Sequence, residues 1–176
     1  MKKIFMTMVA ALAAMTMNAQ VYLGGQVSFQ SVDNGSTTSL WVVNPEIGYV
    51  LDENSAIGIS LGYGELDKDK LGTAKVLTVN PYYRYTLAKF DKVSLFIDGG
   101  FDFTQLKYKT YKNNTWGVGV KPGVALNLND KLSFVSHFGF VGYQNSKDDT
   151  TGAVATKTYG ATIDATNIKF GLYYNF

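Results

Sequence analysis

The chain of 176 residues holds one histidine, His137, and no cysteine. Disulfides, thiolate metal sites, cysteine nucleophiles and centres built on several imidazoles are excluded at once. A hydrolytic site would need His137 beside a serine and a carboxylate on one accessible face. In an extended strand its same-face neighbours are Val135 and Gly139, while Ser136 points the other way. Asp98 and Asp102 share a face but lie four residues apart, about 13 Å along a strand, too far for a paired acid and base. Asp67-Lys68-Asp69 and Asp148-Asp149 carry calcium-ligand chemistry, yet in polar loops such charges are solvated surface. We therefore expect no catalytic, metal or cofactor site. What remains is a set of charges inside apolar or glycine-rich stretches: Glu46, Arg84, Asp98, Asp102, Lys121, His137 and Lys169.

The elements that carry them are strands. Beyond residue 20 no segment keeps a period of 3.6, whereas period-two alternation recurs between turn-forming clusters. It predicts strands over 21–31, 39–51, 56–65, 75–87, 93–105, 115–128, 132–143 and 161–176. Asp33-Asn34-Gly35-Ser36, 52–55, 88–92 and 129–131 read as tight turns, and 66–74, 106–114 and 144–160 as longer polar loops.

Side chains at i and i+2 share a face. Short of the long-loop ends, one face of the eight strands collects Leu23, Val27, Trp41, Ile47, Ile59, Leu61, Val79, Leu95, Phe101, Val118, Leu126, Phe134, Leu172 and their alternates, 44 positions without one charge. At 17% charged residues, chance would place about seven there. The opposite face holds the charges named above, with Gln26, Ser28, Asn44 and Asn80, and eleven of the 18 glycines. A soluble barrel keeps its outside polar. An uncharged, aromatic-rich exterior around a narrow interior of small and polar residues suits lipid instead. Closure follows, because an open sheet edge would leave unpaired backbone groups in hydrocarbon. The fold class expected is an all-β, eight-stranded, antiparallel up-and-down transmembrane β-barrel.

The aromatics mark its limits. Trp41, Tyr63, Phe103, Trp116 and Phe140 fall near the long-loop ends, and Tyr49, Tyr85, Tyr174 and Phe176 near the short turns. Trp41 to Tyr49 spans about 20 Å of height at ~3.3 Å per residue and a tilt near 40°, close to the apolar band of such barrels. Two interfacial belts are expected. Pro45, Pro81 and Pro122 each fall inside an even-numbered strand, where a lost ladder hydrogen bond calls for a bulge.

Lys2 and Lys3 precede an apolar run from Ile4 to Met15 and a small residue at Ala19, so residues 1–19 read as a secretory signal peptide and 20–176 as the barrel. The twelve residues of that run are too few for a helix that spans a bilayer. Sixteen basic against fourteen acidic residues leave no nucleic-acid footprint.

The closing segment, Ile168, Phe170, Leu172, Tyr174 and Phe176 in strict alternation, resembles the last strand of bacterial outer-membrane barrels. With the eight strands and the stretch NPEIGYVLDENSAIGISLGYG from Asn44 to Gly64, the mature chain is similar to the small OmpA/OmpX-type barrel family, without the peptidoglycan-binding domain of OmpA proper. The resemblance implies the bacterial outer membrane as location. It implies outer-membrane lipids and lipopolysaccharide as surroundings, and the barrel assembly machinery as reader of the closing strand. The long loops would be available to a surface ligand. Members include structural and adhesive barrels, narrow channels and a few lipid-modifying enzymes, so fold does not decide function. A non-enzymatic structural or interaction barrel is the leading reading, a narrow channel for small solutes the second, and a lipid-modifying enzyme the third.

Glu46, Arg84, Asp98, Lys121, His137 and Lys169 lie six to nine residues from the nearest short turn or from Phe176, with Asp102 slightly higher. In an eight-stranded barrel, charges at one height must meet each other or trapped water. Pairing Leu87 with Val93 would set Arg84 opposite Phe96 and diagonal to Asp98. A polar plug, three acids against three bases, is the expectation.

Overall fold

The computed structural model describes residues 21–33, 35–69, 72–150, 152–163 and 169–176. They form β1 (Val21–Asp33), β2 (Thr37–Val50), β3 (Ser55–Lys68), β4 (Gly72–Lys89), β5 (Val93–Lys107), β6 (Lys112–Asn127), β7 (Leu132–His137), β8 (Gly139–Asp148), β9 (Thr156–Ile163) and β10 (Lys169–Asn175). β7 and β8 follow one course broken at Phe138, and both pair with β6. β9 and β10 share the last position, paired to β8 and β7 respectively. Ten segments thus fill eight strand positions. All neighbours are antiparallel, and β10 pairs with β1 from Tyr22↔Asn175 to Val27↔Phe170, closing the barrel.

Alternation sorts the side chains as the sequence pattern requires. Val27, Trp41, Val43, Ile57, Leu61, Tyr83, Phe101, Val118, Phe170 and Leu172 are exposed on the outside, while Tyr22, Gln26, Asn44, Glu46, Phe96, Asp98, His137 and Tyr173 are buried within. Burial is thus inverted relative to a water-soluble fold, because the outer face meets lipid rather than water.

Three features depart from the sequence reading. First, the long loops are mostly ladder. β3 and β4 pair out to Lys68↔Gly72, β5 and β6 to Lys107↔Lys112, and β8 and β9 to Ser146↔Thr156. Backbone pairing continues past the membrane, but with water on both faces the apolar alternation that signals a strand is lost.

Second, an extra residue sits between β7 and β8. His137 pairs with Gly123 and Val141 with Val120, so four steps on one strand oppose three on the other. This bulge at Phe138 and Gly139 flips the parity beyond it. Phe140 therefore turns into the lumen, over Gly119 and Gly142, and leaves the outer belt in which the sequence reading placed it. Tyr143 takes its place, 5.3 Å from Trp116 between ring centroids and 4.9 Å from Tyr159.

Third, β4 and β5 shift register between Thr86 and Ala88. The turn itself pairs Lys89 with Ser94 rather than Leu87 with Val93, and with the one-residue shift that follows Arg84 faces Asp98 directly, not Phe96. Of the prolines, Pro122 alone lies across from a bulge. At Pro45 and Pro81 the ladder to the next strand skips two pairs and resumes in the same register. The missing N–H is tolerated there by a local gap rather than an inserted residue.

Candidate functional site: a charged layer across the lumen

Four inward rings lie directly across from glycines on a neighbouring strand: Tyr22↔Gly48, Tyr82↔Gly58, Tyr173↔Gly24 and Phe96↔Gly123. A Cβ at any of these glycines would run into the facing ring. The absent side chains are therefore space for aromatic rings in an interior only wide enough for side chains. The rings surround Arg84, whose guanidinium carbon is 4.2 Å from the Phe96 centroid, 5.1 Å from Tyr82, 5.7 Å from Tyr173 and 5.8 Å from Tyr22.

Within this cage, hydrogen bonds converge on two carboxylates. Arg84 Nε and Nη2 donate to Asp98 Oδ1 and Oδ2 at 2.7 and 2.8 Å, a bidentate pair. His137 Nε2 lies 2.8 Å from the same Oδ2. Gln26 Nε2 is 3.1 Å from His137 Nδ1 and donates to the Tyr173 hydroxyl at 2.7 Å. Tyr173 in turn donates to Glu46 Oε2 at 2.8 Å, and the Tyr82 hydroxyl donates to Glu46 Oε1. Tyr22 bonds Tyr82, and Arg84 Nη2 comes within 3.6 Å of Glu46 Oε1. With Gln26 as donor, the imidazole proton belongs on Nε2, aimed at Asp98. Both ring nitrogens are occupied, which leaves no acceptor for the proton of a nucleophile.

One step toward the long hairpins, Lys121 pairs with Asp102, which also accepts from Asn80. Lys121 is the cross-strand partner of Asp98 but bonds the next carboxylate along, Asp98 being committed to Arg84. The structure thus divides the expected belt into a buried layer of Glu46, Arg84, Asp98 and His137 and a more open pair, Asp102 and Lys121. Lys169 pairs with His137 in the ladder, but its side chain lies outside the described residues.

The buried layer separates two spaces. Toward the long hairpins, a cavity of about 600 Å³ is lined by Ser28, Asn44, Asn80, Asp102, Lys121 and Gln144 among others. Toward the short turns, one of about 190 Å³ is lined by Asn54, Thr86, Ser94, Asn127 and Ser133, with Arg84 and Phe96 in its wall. Among the described residues, no group of three or more His, Asp or Glu side chains is arranged to hold a metal ion.

Sequence reasoning missed Tyr22, Tyr82 and Tyr173. Their signal is a tyrosine on the glycine-bearing face, which acquires meaning only once register sets each ring against its glycine. On the outer face, Trp41, Tyr49, Tyr63, Tyr85, Trp116 and Tyr174 are exposed and Phe103 is half-buried. Tyr159, from a region read as loop, extends the upper aromatic row. Phe170, Leu172 and Tyr174 share the outer face, Tyr174 contacts Phe176 at 5.0 Å, and Ile168 lies outside the described residues.

A closed eight-stranded barrel with an apolar exterior and a charged interior layer defines an integral outer-membrane β-barrel. The chain belongs to the family described as the outer membrane protein beta-barrel domain, whose model matches residues 4–176. Its setting is the bacterial outer membrane. It is similar in fold to neisserial surface protein A (NspA), with a TM-score of 0.54 at 11% identity over 90% of this chain and 98% of that one. It is also similar to the outer membrane protein OprG from Pseudomonas aeruginosa, with a TM-score of 0.50 at 12% identity over 89% and 96%. At such identities the likeness is one of fold. No curated protein matches the sequence.

Proposed function

We propose that this protein is a non-enzymatic barrel whose lumen is closed by the Arg84 layer, and that it acts through its envelope position and the hairpins it displays. The observation that carries this reading is the convergence of Arg84, His137, Tyr82 and Tyr173 on Asp98 and Glu46 between the two cavities. Opening a path there means separating a bidentate ion pair and exposing carboxylates that accept five hydrogen bonds in all. Breaking a buried pair by removing one partner costs about 3–5 kcal/mol. In the same reading residues 1–19 direct export, and the outward row Phe170, Leu172, Tyr174 and Phe176 serves the assembly machinery. The test is single-channel recording in planar bilayers. The closed barrel gives no steady conductance, whereas a steady open level would assign the protein as a narrow channel for small solutes.

A further inference from the structure

The outer face carries a second concentration of charge. Lys75 on β4, Lys107 on β5, Lys112 on β6, Lys147 on β8 and Lys157 on β9 are all exposed. Strand parity puts them on the face that bears Leu77, Phe103, Trp116, Tyr143 and Tyr159. Lys75 is paired directly with Lys107, and Lys107 with Lys112. Lys147 lies beside Asn114 and Lys157 beside Asn145, so the row continues across five neighbouring strands.

Like charges directly opposite each other destabilise a sheet. Two such pairs in succession call for an external anion. Glu65 is opposite Lys75, and the Asp149 amide bonds the Lys112 carbonyl at 2.7 Å, so acidic residues border the row. Even so, none of the five lysines forms an ion pair among the described residues, where all four ion pairs lie in the lumen. Between lysines and rings lie Gln105, which donates to Asn114 at 2.9 Å, and Asn145, which donates to the Tyr143 hydroxyl at 3.1 Å; each amide keeps a further N–H able to bond a phosphate or sugar.

Height identifies the partner. The lysines stand two to four residues beyond the aromatic and apolar row on their own strands. At ~3.3 Å per residue and a tilt near 40°, that is about 5–10 Å past the interfacial rings. Longer hairpins mark the external side of such barrels, so this is the headgroup level of the outer leaflet. We propose that the lysine row docks the phosphate groups of an outer-leaflet glycolipid, whose acyl chains lie along Trp116, Tyr143 and Val118. A free anion would meet only exposed lysines, screened by salt, whereas a lipid also covers the apolar surface beneath them. This rests on the orientation of the barrel and not on whether the lumen is closed.

The test uses the folded barrel in non-ionic detergent, titrated with diphosphorylated lipid A and with its dephosphorylated form and read by native mass spectrometry. The exposed positions allow Lys107→Gln, Lys112→Gln and Lys147→Gln together, with folding checked by heat-modifiable migration. The control carries Lys89→Gln, Lys92→Gln and Lys131→Gln at the short-turn end. Lipid A retention should fall at least tenfold in the first variant and on dephosphorylation, and stay unchanged in the control. Retention within twofold of the unmodified protein in the first variant, equal binding of the dephosphorylated lipid, or an equal loss in the control would overturn the proposal.

Discussion

Asp98 holds Arg84 through both carboxylate oxygens, at 2.7 and 2.8 Å, from directly across the β4–β5 ladder. The two residues thereby tie register to the lumen, since a slip of one residue on either strand would send one of the two side chains to the lipid face and leave the other unpaired inside. Arg84 also lies 3.6 Å from Glu46, so one guanidinium serves two buried carboxylates.

Arg84→Ala should therefore lower barrel stability by about 3–5 kcal/mol, since it strands two buried carboxylates. Arg84→Ala with Asp98→Ala should lose less than the sum of the single changes, because each removes the other's unpaired partner. Urea unfolding in phospholipid vesicles measures this cycle. Strictly additive losses would show that the pair is not coupled.

Gly48→Ala places a methyl group where the Tyr22 ring sits, and overpacking of this kind costs about 1–3 kcal/mol. In the Gly48→Ala background Tyr22→Ala should cost less than it does alone, because it also relieves that clash. A Gly48→Ala protein as stable as the unmodified one would mean that the ring has room to move.

The bulge at Phe138 makes a prediction about sides. The chain has no native cysteine, so Phe140→Cys and Tyr143→Cys can be labelled singly. A small water-soluble thiol reagent should modify residue 140 from the lumen, while residue 143 should react only with a membrane-soluble one. The reverse pattern would restore uninterrupted alternation through residues 132–143.

At the short turn after β2, the Asn54 amide donates to Asp52 Oδ1 at 2.8 Å and, with Ser55, holds the Asp52 carboxyl below its ordinary value of 3.8. A depressed folded value contributes stability that is full above the unfolded value and fades as pH falls through the folded one. An NMR titration of Asp52 should show a midpoint below 3.8. A midpoint at or above that value would remove the turn from the acid response.

Where lipid imposes a rule, the sequence was readable. The uncharged faces of the strands from Leu23 to Leu172 are the exterior, and Glu46, Arg84, Asp98 and His137 meet inside. Phe140 and the hairpin ends were not readable, for two physical reasons. A bulge reverses parity without leaving a motif, and strands in water lose the contrast between faces. The register of the β4–β5 turn hid the pairing of Arg84 with Asp98. The turn sets Lys89 against Ser94 rather than Leu87 against Val93, and the extra residue between Thr86 and Ala88 shifts the register once more, so the partners change by an amount that no motif records.

Single-channel recording in planar bilayers bears most directly on the closed lumen, with the unmodified protein compared to the Arg84→Ala, Asp98→Ala double variant. The account predicts no steady open level for the unmodified barrel and measurable conductance once both side chains are gone. A steady, large conductance in the unmodified protein would contradict it.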